Sequence, residues 1–417
     1  MTSSHTGSSA GLAQDLWRQA RGRLVGAVTG STRSGRHVQR EPADQAHGEV
    51  TPAPPAAELR SDTGAYDRKA RVWDAGGNGH RPGRKAGRGR GDDGSRETPM
   101  VPKASFSSYY GRPVLKPPVW KDDIAYYFFL GGLAAGCSLL GAGADQTGRP
   151  ALRKGTRVTA LGALGLGSYY LVHDLGRPER FHHMLRVAKL TSPMSVGTWV
   201  LALYGPFMGV AALSEVMPGW LRRTLPGRAI DAAARPAGLV AAAIAPAVSA
   251  YTAVLLSQTA VPAWHEAHPE LPFIFTASAA ASAGGLGMIV APVHEASPAR
   301  RLAMYGAIVE FAASRRLENR LGLVGEAFRT GDAAHALERA STLTAVGVLG
   351  SMLLGRRSRS AALLSGAALM AGGFYERLGL LRAGIASTKD PKYVVTPQRE
   401  RMAARAEGAG GTDDTTH

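Results

Sequence analysis

From Asp123 onward the chain alternates long apolar runs with short polar intervals. The runs cover about 123–144, 157–175, 194–216, 237–261, 271–293, 299–316, 338–355 and 359–382. A helix crossing the hydrocarbon core of a bilayer needs roughly 20 such residues, so the pattern predicts eight transmembrane helices. The sixth run is the weakest, being short and holding Glu310. Small residues recur at a spacing of four in Gly132/Gly136, Ala163/Gly167 and Ala281/Gly285. In lipid such positions let helix backbones approach closely, which predicts a compact bundle. Pro206 and Pro246 fall inside the third and fourth helices, where neighbouring helices can satisfy the backbone groups that proline releases. Short connections make consecutive helices antiparallel neighbours. The expected fold is therefore an all-α integral membrane protein. Its eight transmembrane helices form two four-helix bundles, 120–265 and 270–384, with a C-terminal tail at 385–417.

Residues 1–111 interrupt this picture. They are rich in Arg, Gly, Pro, Ser and Asp, with runs such as Arg84-Lys-Ala-Gly-Arg-Gly-Arg90. Such a segment buries too little apolar surface to offset its chain entropy, so a disordered tail is expected. A secretory signal is not expected either, because Leu12 to Val28 is broken by Asp15, Arg18, Arg21 and Arg23. The formal charge of +17 raises the question of nucleic acid. The basic residues, however, are spread over the tails and the loops between apolar helices, where membrane flanking explains them and no nucleic-acid partner is expected. Eight spans put both tails on one side of a plasma membrane crossed several times, and loop charges favour neither side. The single Cys137 excludes a disulfide framework and a cysteine-ligated iron–sulfur cluster within the chain.

Up-and-down threading then gathers the chemistry. The start of helix one, the end of helix two, the start of helix three and the end of helix four share the tail side. They carry Asp122, Asp123, Tyr126 and Tyr127; His173, Asp174 and Arg177; Ser195, Thr198 and Trp199; and Tyr251, Gln258, Trp264, His265 and Glu266. The opposite ends offer chiefly Arg and small residues. At helical spacing Tyr169, Tyr170, His173 and Arg177 share one side and Asp174 reaches Arg177, with Pro178 marking the exit. Ionisable groups cost roughly 2.5–3.5 kcal/mol each at the membrane centre, so a cluster at its boundary points to function. Aromatic rings beside carboxylates and imidazoles suit a quinone, whose carbonyls need hydrogen bonds and whose reduction takes up two protons. His173, Asp174 and Asp123 can deliver them. The plain alternative is an interfacial belt of Tyr and Trp with incidental charges. Haem is not expected, because no two histidines face each other at mid-depth, and no metal-ligand spacing is present.

Four motifs occur in order: Tyr126-Tyr-Phe-Phe-Leu-Gly-Gly-Leu-Ala-Ala-Gly136, His173-Asp-Leu-Gly-Arg-Pro-Glu-Arg-Phe181, Thr191-Ser-Pro-Met-Ser-Val-Gly-Thr-Trp199 and Tyr251-Thr-Ala-Val-Leu-Leu256. Together they resemble the polysulfide reductase membrane subunit, or NrfD-like, family, from about Trp120 to Pro397. The resemblance implies a haem-free, quinone-binding anchor, taking menaquinone or ubiquinone. Such an anchor passes electrons between the quinone pool and a partner four-cluster ferredoxin-like iron–sulfur subunit, which serves a molybdopterin catalytic subunit. By resemblance Tyr251 is the fourth-helix tyrosine that bonds a quinone carbonyl. Asp123 stands where relatives often carry His or Asn, a departure that bears on the proton donor and the quinone type. The loop from Arg177 to Pro193 corresponds to the surface that meets the iron–sulfur subunit. The expected site thus comprises Asp123, His173 and Asp174 as proton groups, with Tyr251, Tyr127 and Trp199 beside them. Two other readings remain: a passive anchor without quinone chemistry, and an ion or proton transporter using Glu310 and the Glu376–Arg377 pair.

Overall fold

In the computed structural model, residues 113–410 are described; the expected tail at 1–111 lies outside them. Eight helices of 20 to 33 residues follow one another: α1 Asp122–Gln146, α2 Pro150–His173, α3 Pro193–Val216, α4 Leu225–Ser257, α5 Leu271–Val290, α6 Ser297–Arg320, α7 Gly331–Leu353 and α8 Arg359–Lys389. A further helix, α9 Lys392–Gly410, covers most of the segment expected as a C-terminal tail. No strand occurs among the described residues. Prolines stand in the first turn of α2, α3, α4, α5 and α6, where a missing N–H costs nothing. Ser192, Thr224 and Ser358 cap α3, α4 and α8 by accepting backbone N–H groups three residues on.

The closest packing lies within the successive pairs α1–α2, α3–α4, α5–α6 and α7–α8, as short connections require. Helix α1 also meets α4, α5 and α8, and α5 meets α4 and α8, so α1 and α5 form the middle of the assembly. Both bury most of their length. Glycine makes this possible where α1 crosses α5. A Cβ on Gly136 would lie 2.6 Å from Ala283 Cβ and 2.7 Å from the Ala279 carbonyl oxygen. Gly285 plays the same part toward α8, where a Cβ would come 2.7 Å from the Gly366 carbonyl oxygen. The predicted small-residue pairs are thus contact surfaces, and alanines fill much of the remaining core.

The outside is apolar too. Leu203 on α3, Ile308 and Val309 on α6, Leu349 and Leu353 on α7 and Leu364 on α8 are all exposed. A soluble surface rarely carries so much apolar area. Helices α1, α3, α4 and α5 are long and apolar enough to cross a membrane. The integral-membrane fold class holds on these grounds.

Candidate functional site

The start of α1 meets the end of α2. Asp123 Oδ2 lies 3.0 Å from His173 Nδ1, an acid–base couple with the carboxylate mostly covered and the imidazole open. Asp174 caps α2 and accepts the backbone N–H of Lys121, which ties the two helix ends together. Burial pushes its carboxyl above the usual range and the Asp123 charge adds to this, while the Lys121 N–H and the charges of Lys121 and His173 pull the other way. Three carboxyl and imidazole groups from two helices therefore meet at one helix-end boundary.

Aromatic rings continue inward from this couple. Tyr169 stacks on His173 with centroids 5.7 Å apart, and Tyr126 stacks on Tyr170 at 5.1 Å and leans on Phe374 of α8 at 4.8 Å. Tyr127 is buried, one turn beyond Asp123. Tyr170, Leu201 and Tyr251 pack against both of the larger apolar clusters and so lie at their seam. Tyr251 rests on Gly197 of α3, where a Cβ would overlap its ring. Its hydroxyl makes no hydrogen bond among the described residues. A phenol at an apolar seam with its donor free is suited to a carbonyl that arrives from outside.

Trp199 is placed differently. Its indole N–H donates to the Val187 carbonyl at 3.2 Å, and Ser195 Oγ donates to the same oxygen at 3.0 Å. These bonds tie the loop after α2 to the start of α3. The loop holds a 3₁₀ helix, Pro178–Leu185, and exposes Phe181, Leu185, Val187 and Leu190. Trp264 is fully buried, donates to the Leu380 carbonyl at 2.7 Å and stacks on Trp120 at 5.5 Å. It is a core ring and not part of the boundary cluster. Glu266 pairs with Arg401 of α9 at 2.9 Å, and His265 lies 3.0 Å from the Ser257 carbonyl.

The chain matches the family described as polysulphide reductase, NrfD, over residues 114–388. It belongs to that family. NrfD proteins are membrane subunits of oxidoreductase complexes and are in general associated with quinones. No curated protein matches the chain.

Two expectations for this NrfD protein need correction. Asp174 and Arg177 form no ion pair among the described residues, because α2 ends at His173 and Arg177 has left the helical register that would bring them together. The opposite ends of α1–α3 also carry more than arginine and small residues. Arg153 donates to Glu215 at 2.7 Å and Asp145 at 3.1 Å, and Arg157 bonds the same two carboxylates at 3.0 and 3.2 Å. Arg157 is buried, and Arg235 of α4 also reaches Asp145 at 3.8 Å, so three guanidinium groups and two carboxylates from four helices meet here. Asp145 stands just across the α1–α2 turn from Arg153 and Arg157, but Glu215 is 58 residues from Arg157, so only the threading of the helices could have suggested its place in the network.

Proposed function

We propose that this protein is the quinone-binding membrane subunit of a molybdopterin oxidoreductase complex. In this reading eight spans form two four-helix bundles in the plasma membrane, α1–α4 and α5–α8. The observation that carries it is the Asp123–His173 couple, 3.0 Å apart, beside the Tyr126–Tyr170 stack and the free Tyr251 hydroxyl. A quinone supplies a carrier for two electrons and two protons. Tyr251 donates a hydrogen bond to one carbonyl and fixes the ring against Gly197. Tyr127 and Tyr170 close the apolar wall. His173 holds a proton at the aqueous edge, and Asp123 sets its tautomer by accepting from Nδ1, as carboxylates do for catalytic imidazoles. Asp174 carries a second exchangeable proton beside them. The electron partner is an iron–sulfur subunit seated on the loop between Arg177 and Pro193, and that subunit serves the molybdopterin chain.

The test is Tyr251→Phe, which keeps the ring and removes the donor. A neutral hydrogen bond contributes about 0.5–1.5 kcal/mol net, so quinone affinity should fall by up to about tenfold. Activity with an artificial electron carrier at the molybdopterin subunit should be unchanged. If Tyr251→Phe and Asp123→Asn both turn over quinone normally, the passive-anchor reading replaces this one.

A further inference from the structure

A second polar cluster lies among α5, α6 and α8, and the quinone reading does not use it. Glu310 of α6 and Glu376 of α8 are each 4 % exposed, and Arg377 beside Glu376 is 2 % exposed. Arg377 Nη1 is 3.5 Å from one Glu376 oxygen, its Nη2 donates to the Phe275 carbonyl, and its guanidinium lies over the Phe275 ring at 3.8 Å. Glu310 lies within electrostatic reach of both Glu376 and Arg377. The charged groups that bear on any of the three are the other two. From α1 the facing residue is Gly132, and on the α7 side Arg339 lies over the Tyr375 ring instead.

Four buried polar atoms here lack a hydrogen-bond partner among the described residues: Glu310 Oε2, Glu376 Oε1 and the hydroxyls of Ser278 and Ser282. The two hydroxyls project from α5 toward α8. A Cβ on Gly373 would overlap Ser282 Oγ and come 3.3 Å from Ser278 Oγ, and Ser278 lies beside Glu376. Buried polar atoms are almost always bonded, to protein or to ordered water. Two carboxylates and one guanidinium would leave a net negative charge in an apolar interior, which a single proton removes. Coupled carboxylates release such a proton as a pair.

We propose that Glu310 and Glu376 form a buried proton-binding site that holds one exchangeable proton between them. Arg377 is the fixed counter-charge, and the Ser278 and Ser282 hydroxyls are ligands for the water that connects the pair. Protonation converts one carboxylate to the acid; release returns it, and no other bond changes. The site adjoins α1 at Gly132 and shares α8 with Phe374, but it is separate from the Asp123–His173 couple.

Infrared spectroscopy of the full-length chain in lipid, with glutamate carbon-isotope labelled to separate its carbonyl from lipid esters, tests this directly. The wild-type protein at neutral pH should show a protonated glutamate band that shifts in D2O within minutes. Glu310→Gln and Glu376→Gln should each abolish it, because Arg377 then balances the single remaining carboxylate. Absence of the band in wild type would overturn the proposal without any variant. So would a band that resists D2O for hours, or one that survives both substitutions in correctly folded protein. Tyr251→Phe should leave the band in place whether or not the quinone reading stands.

Discussion

At the scale of single residues, Asp174 makes the sharpest statement about pH. Its raised carboxyl keeps the acid form to higher pH than an ordinary aspartate would. If Asp174 donates a proton during turnover, that step weakens as pH rises through the raised value, since the donor is then lost. Asp174→Asn should remove this alkaline decline while leaving quinone affinity near normal, and pH profiles of quinone-linked turnover would read it. An identical decline in the variant would take Asp174 out of the relay. His173 was legible in the sequence as the imidazole on the way out of α2, and Asp123 as the carboxylate at the way into α1. Threading put both on one side of the membrane, because a short α1–α2 connection brings those two ends level, but it did not single out Asp123 as the neighbour of His173. The free Tyr251 hydroxyl was not legible, nor was the use of the Trp199 indole as a loop tie. Both depend on which neighbour occupies a bond, and that neighbour is remote in the chain.

At the scale of helices, the apolar runs located α1 to α8 but misplaced some ends, and they left α9 as a tail because its residues are largely polar. Helix α4 begins at Leu225, well before the run at 237, because Thr224 caps it and Pro226 fits its first turn. That signal was present in the residues but was outweighed by Arg228, Asp231 and Arg235. Helix α2 likewise starts ahead of its apolar run, with Arg153 and Arg157 neutralised by Asp145 and Glu215 from other helices. Local hydropathy cannot see such pairing. The small-residue spacing was read correctly and predicts an asymmetry along α1. Gly136→Leu should overpack the α1–α5 crossing and destabilise the protein by about 1–3 kcal/mol, whereas a Cβ at Gly143 meets nothing within 4 Å. Gly143→Ala should therefore be neutral or slightly stabilising, as glycine is the poorer helix former. Thermal unfolding in detergent would compare them, and equal effects would show that the crossing tolerates separation. The loop after α2 offers a second test. Its exposed Phe181, Leu185 and Leu190 alternate with Arg180 and Arg186, which suits an interface with an apolar centre and charged rim. Reversing the charge at Arg180 and Arg186 should slow association and make docking of the proposed iron–sulfur partner sensitive to salt, so that less of it is retained on co-purification as ionic strength rises. Unchanged retention would move the docking surface elsewhere.

At the scale of the molecule, the number of crossings is the claim on which the rest depends. Four helices are apolar enough to span on composition alone, while α2, α6, α7 and α8 carry charges that lower their hydropathy. Those charges do not argue against spanning where they are internally paired or buried between helices, as Arg157 is between Asp145 and Glu215 and Arg377 is beside Glu376. The outward faces of α6, α7 and α8 remain apolar, with Ile308, Leu349 and Leu364 exposed. Eight crossings require the segments before α1 and after α8 to lie on one side, with the α1–α2 turn on the other. Cys137 is the chain's single cysteine and is buried, so Cys137→Ser gives a background free of thiols. Into it, cysteines can be placed one at a time at Val114, Gln146 and Gln398, which are all exposed. A membrane-impermeant thiol reagent applied to sealed vesicles of one orientation should label Val114→Cys and Gln398→Cys together, and Gln146→Cys only after the vesicles are opened. Labelling of Val114→Cys and Gln398→Cys from opposite sides would mean an odd number of crossings. The first four helix ends would then no longer share a face with the C-terminal segment, and α9 could not pair with Glu266 through Arg401 as it does here.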